Sequence, residues 1–168
     1  MQIIINQSNK LNQHIEKILY VAKTESKQIE LEKSKVDLKV LLELVRENIF
    51  LKHQKEINID IQLDRNYSIQ ADEFHFYNVI YNIMDNAVKY SPQTPQITIQ
   101  SKESSKGLAL KFTDNGCGIP ESDLPFVFDK FYRVAREDSK DIEGFGIGLS
   151  YVKRVCEWHK WKVEAKNN

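Results

Sequence analysis

The 168-residue sequence predicts a two-layer α/β domain, a mixed sheet covered on one face by helices. Three observations predict it. Residues 57–63, 96–100 and 108–113 alternate apolar with polar side chains, as strands with a single buried face do. Two stretches led by Asp37 and Asp72 space their apolar residues by three and four, the pattern of helices with a core-facing side. Two glycine clusters, Gly116-Cys-Gly118 and Gly144-Phe-Gly146-Ile-Gly148, mark places where backbone bends and comes close to something.

Composition narrows the function classes. Lysine plus arginine and aspartate plus glutamate each number 24, so no net field recruits nucleic acid or an anionic membrane. The two cysteines, Cys117 and Cys156, do not make a disulfide framework and fit a reducing compartment. No apolar run approaches the roughly 18 residues of a spanning helix, and Met1-Gln-Ile-Ile-Ile lacks the length and cleavage pattern of a signal peptide. A cytosolic-type chain without direct membrane contact is the expectation, whatever membrane segment a parent protein carries.

Along the chain, residues 1–34 form the first expected unit. Leu11, Ile15, Ile18, Ala22 and Ile29 fall close to a heptad seam between polar flanks, so a long amphipathic helix with one narrow stripe is predicted, needing a partner helix to cover it. Charged residues without pattern follow, which places a linker and a boundary near Ser34. In the second unit, 35–168, Asp37 caps a helix with Leu38, Leu41, Leu42, Val45 and Ile49 inward, ending near His53. After the strand at 57–63 and an Asp64-Arg-Asn turn, Ile69 is placed in a short partner strand.

Asp72 then caps a helix running to about Tyr90, with Phe76, Val79 or Ile80, Ile83 and Ala87 on its core side. Asn78, Asn82, Asn86 and Lys89 lie along another line of the same helix. Asparagine is a poor helix former, so stacked amides beside an ammonium point to polar work. Two strands joined by a turn around Ser104 to Gly107 follow, and the second delivers Asp114. An aromatic segment from Leu124 to Arg133 precedes a charged loop, 134–143, long enough to act as a lid. Gly144 to Gly148 closes that loop and opens a helix reaching about Trp158, with Val152 and Val155 inward; Lys162 to Ala165 begins a last strand.

Several nucleotide motifs are excluded. There is no Gly-Lys-Ser/Thr phosphate loop and no His-Arg-Asp set of a protein kinase. Gly116-Cys-Gly118 lacks the third glycine of a dinucleotide fingerprint, and the proline that follows argues against a hairpin. Alternate oxygen ligands for a calcium loop are missing.

What remains is an ordered set: Asn82-x-x-x-Asn86-Ala-x-Lys-Tyr-Ser91, then Asp114-x-Gly-x-Gly118, a Phe-rich segment, a variable loop, and Gly144-x-Gly-x-Gly148-Leu149. This set resembles the N, G1, F and G2 boxes of the Bergerat-fold ATPases, most closely the catalytic ATP-binding domain of sensor histidine kinases, and the resemblance runs from about Val36 to the end. It implies ATP and Mg²⁺ as cofactors. The implied nucleotide site is Asn82, Asn86, Lys89, Tyr90, Asp114, Gly116, Gly118, Ile119, Phe131, Arg133, Gly144, Gly146, Ile147, Gly148 and Leu149, with the metal at Asn86 and Asn82. Asp114 would accept the adenine amino group in a buried pocket, Tyr90 would lie against the purine, and Lys89 would meet phosphate oxygens. The glycines would present backbone N–H groups at a helix start, where anions are favoured.

Hydrolytic relatives carry a glutamate where this chain has Asn82. An amide cannot act as a general base, so the resemblance implies slow hydrolysis and a γ-phosphoryl kept for another acceptor. That acceptor would be a histidine on a dimeric helical hairpin, of which the arm at 1–34 resembles the second helix. Implied partners are this hairpin, a second copy of the parent, and a response regulator.

The sequence also departs from the family. No acceptor-type histidine precedes the arm, so no catalytic residue is assigned here. His14 reads as a solvated flank, and His53, His75 and His159 lie away from such a motif. His159-Lys-Trp161 stands where the family has a Gly-Gly turn, and a truncated final strand is the expectation. The expectation is a piece that binds ATP without phosphorylating itself, and the rival reading is a degenerate, non-catalytic module of the same fold.

Overall fold

A computed structural model describes residues 30–91, 94–105, 107–135 and 144–167. The chain divides into two compact units, Met1–Leu31 and Glu32–Asn168. The predicted arm helix, and residues 136–143 of the charged loop, lie outside the described residues.

The second unit opens with a strand that the sequence reading treats as linker. In β1 (Lys33–Asp37) only Val36 is buried, so an edge strand of this kind leaves no alternation to detect. It pairs antiparallel with β3 (Ser68–Asp72), Val36 opposite Ile69. Ile69 is therefore in a strand as expected, but its partner is β1 and not β2 (Asn58–Gln62). The register puts Asp72 beside Lys33, where Asp72 Oδ2 accepts the Glu32 N–H at 3.0 Å.

Helix α1 (Leu38–His53) starts where its cap dictates: Asp37 accepts the Val40 N–H at 3.1 Å, satisfying one of the helix's unpaired first-turn donors. Its five expected core residues, Leu38, Leu41, Leu42, Val45 and Ile49, are all buried, each contributing on the order of 2 kcal/mol. Helix α2 (Glu73–Lys89) is capped in the same way, Asp72 Oδ1 accepting from His75 N. Phe76, Val79, Ile80 and Ala87 are buried as expected, but Met84 and Val88 complete the core line where the spacing argument selects Ile83, which is only half-buried.

The three-stranded sheet has the order β2-β4-β5, with β4 (Gln96–Ser104) and β5 (Gly107–Asp114) flanking the core. The β2–β4 pair is parallel and the β4–β5 pair antiparallel, so the sheet is mixed. Register sorts the two faces. Asn58, Asp60 and Gln62 align with Gln96, Thr98 and Gln100, while Ile59 and Ile61 align with the buried Ile97 and Ile99. Ile97 and Ile99 in turn face Asp114 and Phe112. Asp114 therefore shares the apolar face, at the edge of the helical layer, by strand alternation alone.

Helix α3 (Gly148–His159) packs on α2 through Tyr151, Val152, Val155, Cys156 and His159. Burial pushes the Cys156 thiol up to about 11, so this cysteine is a core residue and not a reactive one. The turn after α3 forms without glycine. Lys160 takes the left-handed conformation, φ 60°, its N–H bonding Glu157 O, and Trp161 N bonds Cys156 O at 2.8 Å. The Trp161 ring stacks on His159 at 4.2 Å and meets Phe76 edge-on at 5.1 Å. The altered turn on which the degenerate reading rests thus closes the helix without glycine. Residues 162–165 join no strand. Instead the Asn167 amide clasps Ile119, donating to its carbonyl at 2.6 Å and accepting from its N–H at 2.9 Å.

Candidate functional site

The middle of α2 meets the first residue of α3. Asn82 Nδ2 donates to Asn78 O at 2.7 Å, one turn back along the helix. With its nitrogen committed, the amide aims its oxygen the other way, to within 2.9 Å of where a Cβ on Gly148 would stand. Asn86 Nδ2 lies 3.8 Å from the same point. Two amides and a glycine at a helix start are thereby gathered at one place. The carbonyl of Asn78, which orients Asn82, is a contributor that the asparagine spacing signals.

The Asn82 oxygen fits a hard cation, and Asn86, whose nitrogen stands nearer Gly148, would join it by turning its amide. An amide oxygen is a magnesium ligand when phosphate oxygens and water complete the shell. Among the described residues no group of three His, Cys, Asp or Glu side chains could hold a metal by itself, so a cation here would share its ligands with phosphates. Anions are favoured at the same place, because the first N–H groups of α3 have no helical partners. Ile147, Gly148 and Leu149 stand there, all half-buried.

A second cluster forms at the far end of α2. Cys117 N donates to Tyr90 O at 3.1 Å, drawing the loop after β5 onto the helix C-cap. Asp114 Oδ1 accepts the Gly116 N–H at 2.8 Å, and a Cβ on Gly116 would lie 2.6 Å from that oxygen and 3.2 Å from Tyr90 O. Gly116 is therefore required for the carboxylate, the loop and Tyr90 to meet. Asp114 is exposed, not buried as the resemblance implies, because it sits on the last residue of an outer strand of this sheet. Asn115, which the sequence reading leaves without a role, pins the region: its amide accepts from Gln96 N and donates to Thr94 O. Gly118, φ 66°, and Ile119 complete the loop under the Asn167 clasp.

A third cluster joins the two ends of the charged loop. Phe131 N donates to Gly146 O at 2.9 Å, and Arg133 Nη1 donates to Gly144 O at 2.9 Å. Gly146, φ 68°, admits no side chain: a Cβ would lie 2.6 Å from Phe131 C and Tyr132 O. Phe131 is itself left-handed at φ 65°, and its ring is exposed. Fourteen of the fifteen expected residues lie in these three groups, and Lys89 does not. Lys89 is turned to the buried Asp85, Nζ to Oδ2 at 2.6 Å, a pairing that sequence spacing of four permits but does not announce.

A cavity of about 450 Å³ lies elsewhere, between Arg46 and Phe50 of α1 and the starts of β2 and β4. None of its lining residues is among the expected site residues, and only Gln96 touches the second cluster, through its bond to Asn115. No helix among the described residues is long and apolar enough to cross a membrane.

The pattern of the histidine kinase-, DNA gyrase B-, and HSP90-like ATPase family matches residues 71–168. Among individual proteins, the chain is 34% identical over 171 residues to the sensor protein RprX of Bacteroides fragilis, with 98% of the chain and 33% of RprX aligned. It is 27% identical to the signal transduction histidine-protein kinase ArlS of Staphylococcus aureus, over 99% of the chain and 37% of ArlS. The chain thus spans about a third of the length of these relatives. Among solved structures, the mycobacterial sensor histidine kinase MprB superimposes with a TM-score of 0.66 at 25% identity, covering 76% of this chain and 80% of that one.

Proposed function

The chain belongs to the histidine kinase-, DNA gyrase B-, and HSP90-like ATPase family, and we propose that it is the ATP-binding catalytic portion of a two-component sensor histidine kinase. The carrying observation is the Asn82 amide oxygen aimed at Gly148, which joins a cation ligand to an anion-binding helix start. Asn86 and Asn82 would hold Mg²⁺, which when bound neutralises phosphate charge. The backbone from Gly144 to Leu149 would take the phosphate oxygens, with Lys89 and Arg133 beside it. Asp114 would accept the adenine amino group while Tyr90 and Ile119 border the base.

The same residues decide the fate of the phosphoryl group. Asn82, its nitrogen tied to Asn78 O, can orient a ligand but cannot take a proton from water. Positioning without a base disfavours hydrolysis and leaves the γ-phosphoryl for a histidine on a dimerisation hairpin, and from there for a response regulator. The arm at 1–34 would belong to that hairpin, with residues 35–168 as the ATP-binding domain. Incubation with labelled Mg-ATP and a separately made acceptor hairpin tests this reading. Acid-labile label on a hairpin histidine is expected, with little phosphate release when the hairpin is left out. Nucleotide binding without transfer to any histidine would overturn the kinase assignment.

A further inference from the structure

Asp85 stands next to Asn86 on α2, and its buried carboxylate uses its two oxygens unequally. Oδ1 receives Lys52 Nζ at 2.7 Å and His53 Nε2 at 2.9 Å, both from the last turn of α1. Oδ2 receives Lys89 Nζ at 2.6 Å. Burial would push this carboxyl up, but the hydrogen bonds from Lys52 and Lys89 outweigh it and hold it below the usual carboxylate range. For Lys52 the balance is the same in mirror image: burial would lower it, and Asp85 raises it. A buried charge stripped of every partner is strongly destabilising. With Lys52 and His53 on Oδ1, Lys89 is the cation that can leave without stranding one. Around the helix Lys89 lies between Asp85 and the line of Asn82 and Asn86, so its flexible stem serves either side.

We propose that Asp85 is a positioning residue that holds Lys89 beside the nucleotide site, and that Lys52 sets how readily Lys89 leaves it for the phosphates of a bound nucleotide. This rests on the nucleotide reading above. It gives the neighbours of Lys89 effects of opposite sign. Asp85→Asn removes the anion that competes with phosphate, so ADP binds about two- to fivefold tighter, the range of one partly exposed ion pair. Lys52→Met leaves Asp85 more dependent on Lys89, so ADP binds weaker by a similar factor. Adenosine, which has no phosphate, binds the intact chain and both variants alike. In a Lys89→Met background both effects vanish.

The test is displacement of a fluorescent ATP analogue by ADP and by adenosine from the full chain and its variants, with thermal melts to confirm folding. Opposite shifts in the ADP-to-adenosine ratio support the proposal. Parallel weakening of both ligands in both variants, the mark of a merely structural role, overturns it, as does an unchanged ratio. Should Asp85→Asn fail to fold, Lys52→Met decides alone: an ADP loss confined to the Lys89 background supports the proposal and an equal loss in both backgrounds overturns it. Failure of the intact chain to bind ADP overturns the nucleotide reading and this inference with it, whereas binding with an unchanged ratio overturns this inference alone.

Discussion

His159 accepts the backbone N–H of Asp72 through Nε2 at 3.0 Å and bonds the Val155 carbonyl through Nδ1 at 2.9 Å. One buried ring thus ties the end of α3 to the residue that ends β3 and caps α2. The Asp72 bond fixes the tautomer: Nε2 must be bare to accept, so the proton sits on Nδ1.

Protonating Nε2 would remove that acceptor. Burial lowers the pKa of His159, so the fold favours the neutral ring, and the stability it contributes is present above the unfolded value of about 6.5 and lost as pH falls through the folded value. Asp85, held below the usual carboxylate range, weakens the fold only below about pH 4, outside that window. The urea midpoint is therefore expected to drop between pH 7.5 and 5.5. His159→Leu should cost about 1–3 kcal/mol at pH 7.5 and flatten this drop. An equally steep dependence in the variant would contradict the assignment.

Lys160 occupies a left-handed position that glycine fills without cost. Lys160→Gly is expected to stabilise the chain by about 1 kcal/mol, measured as a rise in urea midpoint at constant slope. A loss of stability would mean that the lysine side chain holds the turn.

Gly144, Gly146 and Gly148 should separate by mechanism. Gly146→Ala forces a side chain against the Phe131 and Tyr132 backbone at positive φ, and a cost of more than about 2 kcal/mol is expected. Gly144→Ala meets nothing within 4 Å and should stay within about 0.5 kcal/mol of the parent. Gly148→Ala meets the side-chain ends of Asn82 and Asn86 and no backbone, so it should fold normally yet bind Mg-ADP about tenfold more weakly, a 1.4 kcal/mol effect. Equal stability losses at all three, read from melts, would remove the distinction.

Much of this was legible in sequence because the signals were local. Asp37 and Asp72 announce their helices through a single side chain-to-backbone bond each, and the alternating isoleucines announce β2 and β4. Features set by long-range contact were not legible. β1 has one buried residue and pairs across more than thirty positions, so nothing near it signals a strand. The site motifs could be read as glycine and asparagine spacings, but the exposure of Asp114 depends on sheet order, and the burial of Asp85, which Lys89 pairs with one turn away, depends on tertiary packing. His159 could not be singled out, since a buried ring at a junction of three elements has no sequence signature.

The central claim is that the amides of α2 and the start of α3 form one site for a metal-bound nucleotide, with Asp114 reading the base. Calorimetric titration of ADP, with and without Mg²⁺, into the chain and into Asn86→Ala and Asp114→Asn tests it most directly. One saturable site is predicted, tightened by Mg²⁺ in the parent but not in Asn86→Ala, and losing its preference for ADP over GDP in Asp114→Asn. A folded parent chain that shows no saturable heat with millimolar Mg-ADP would contradict it.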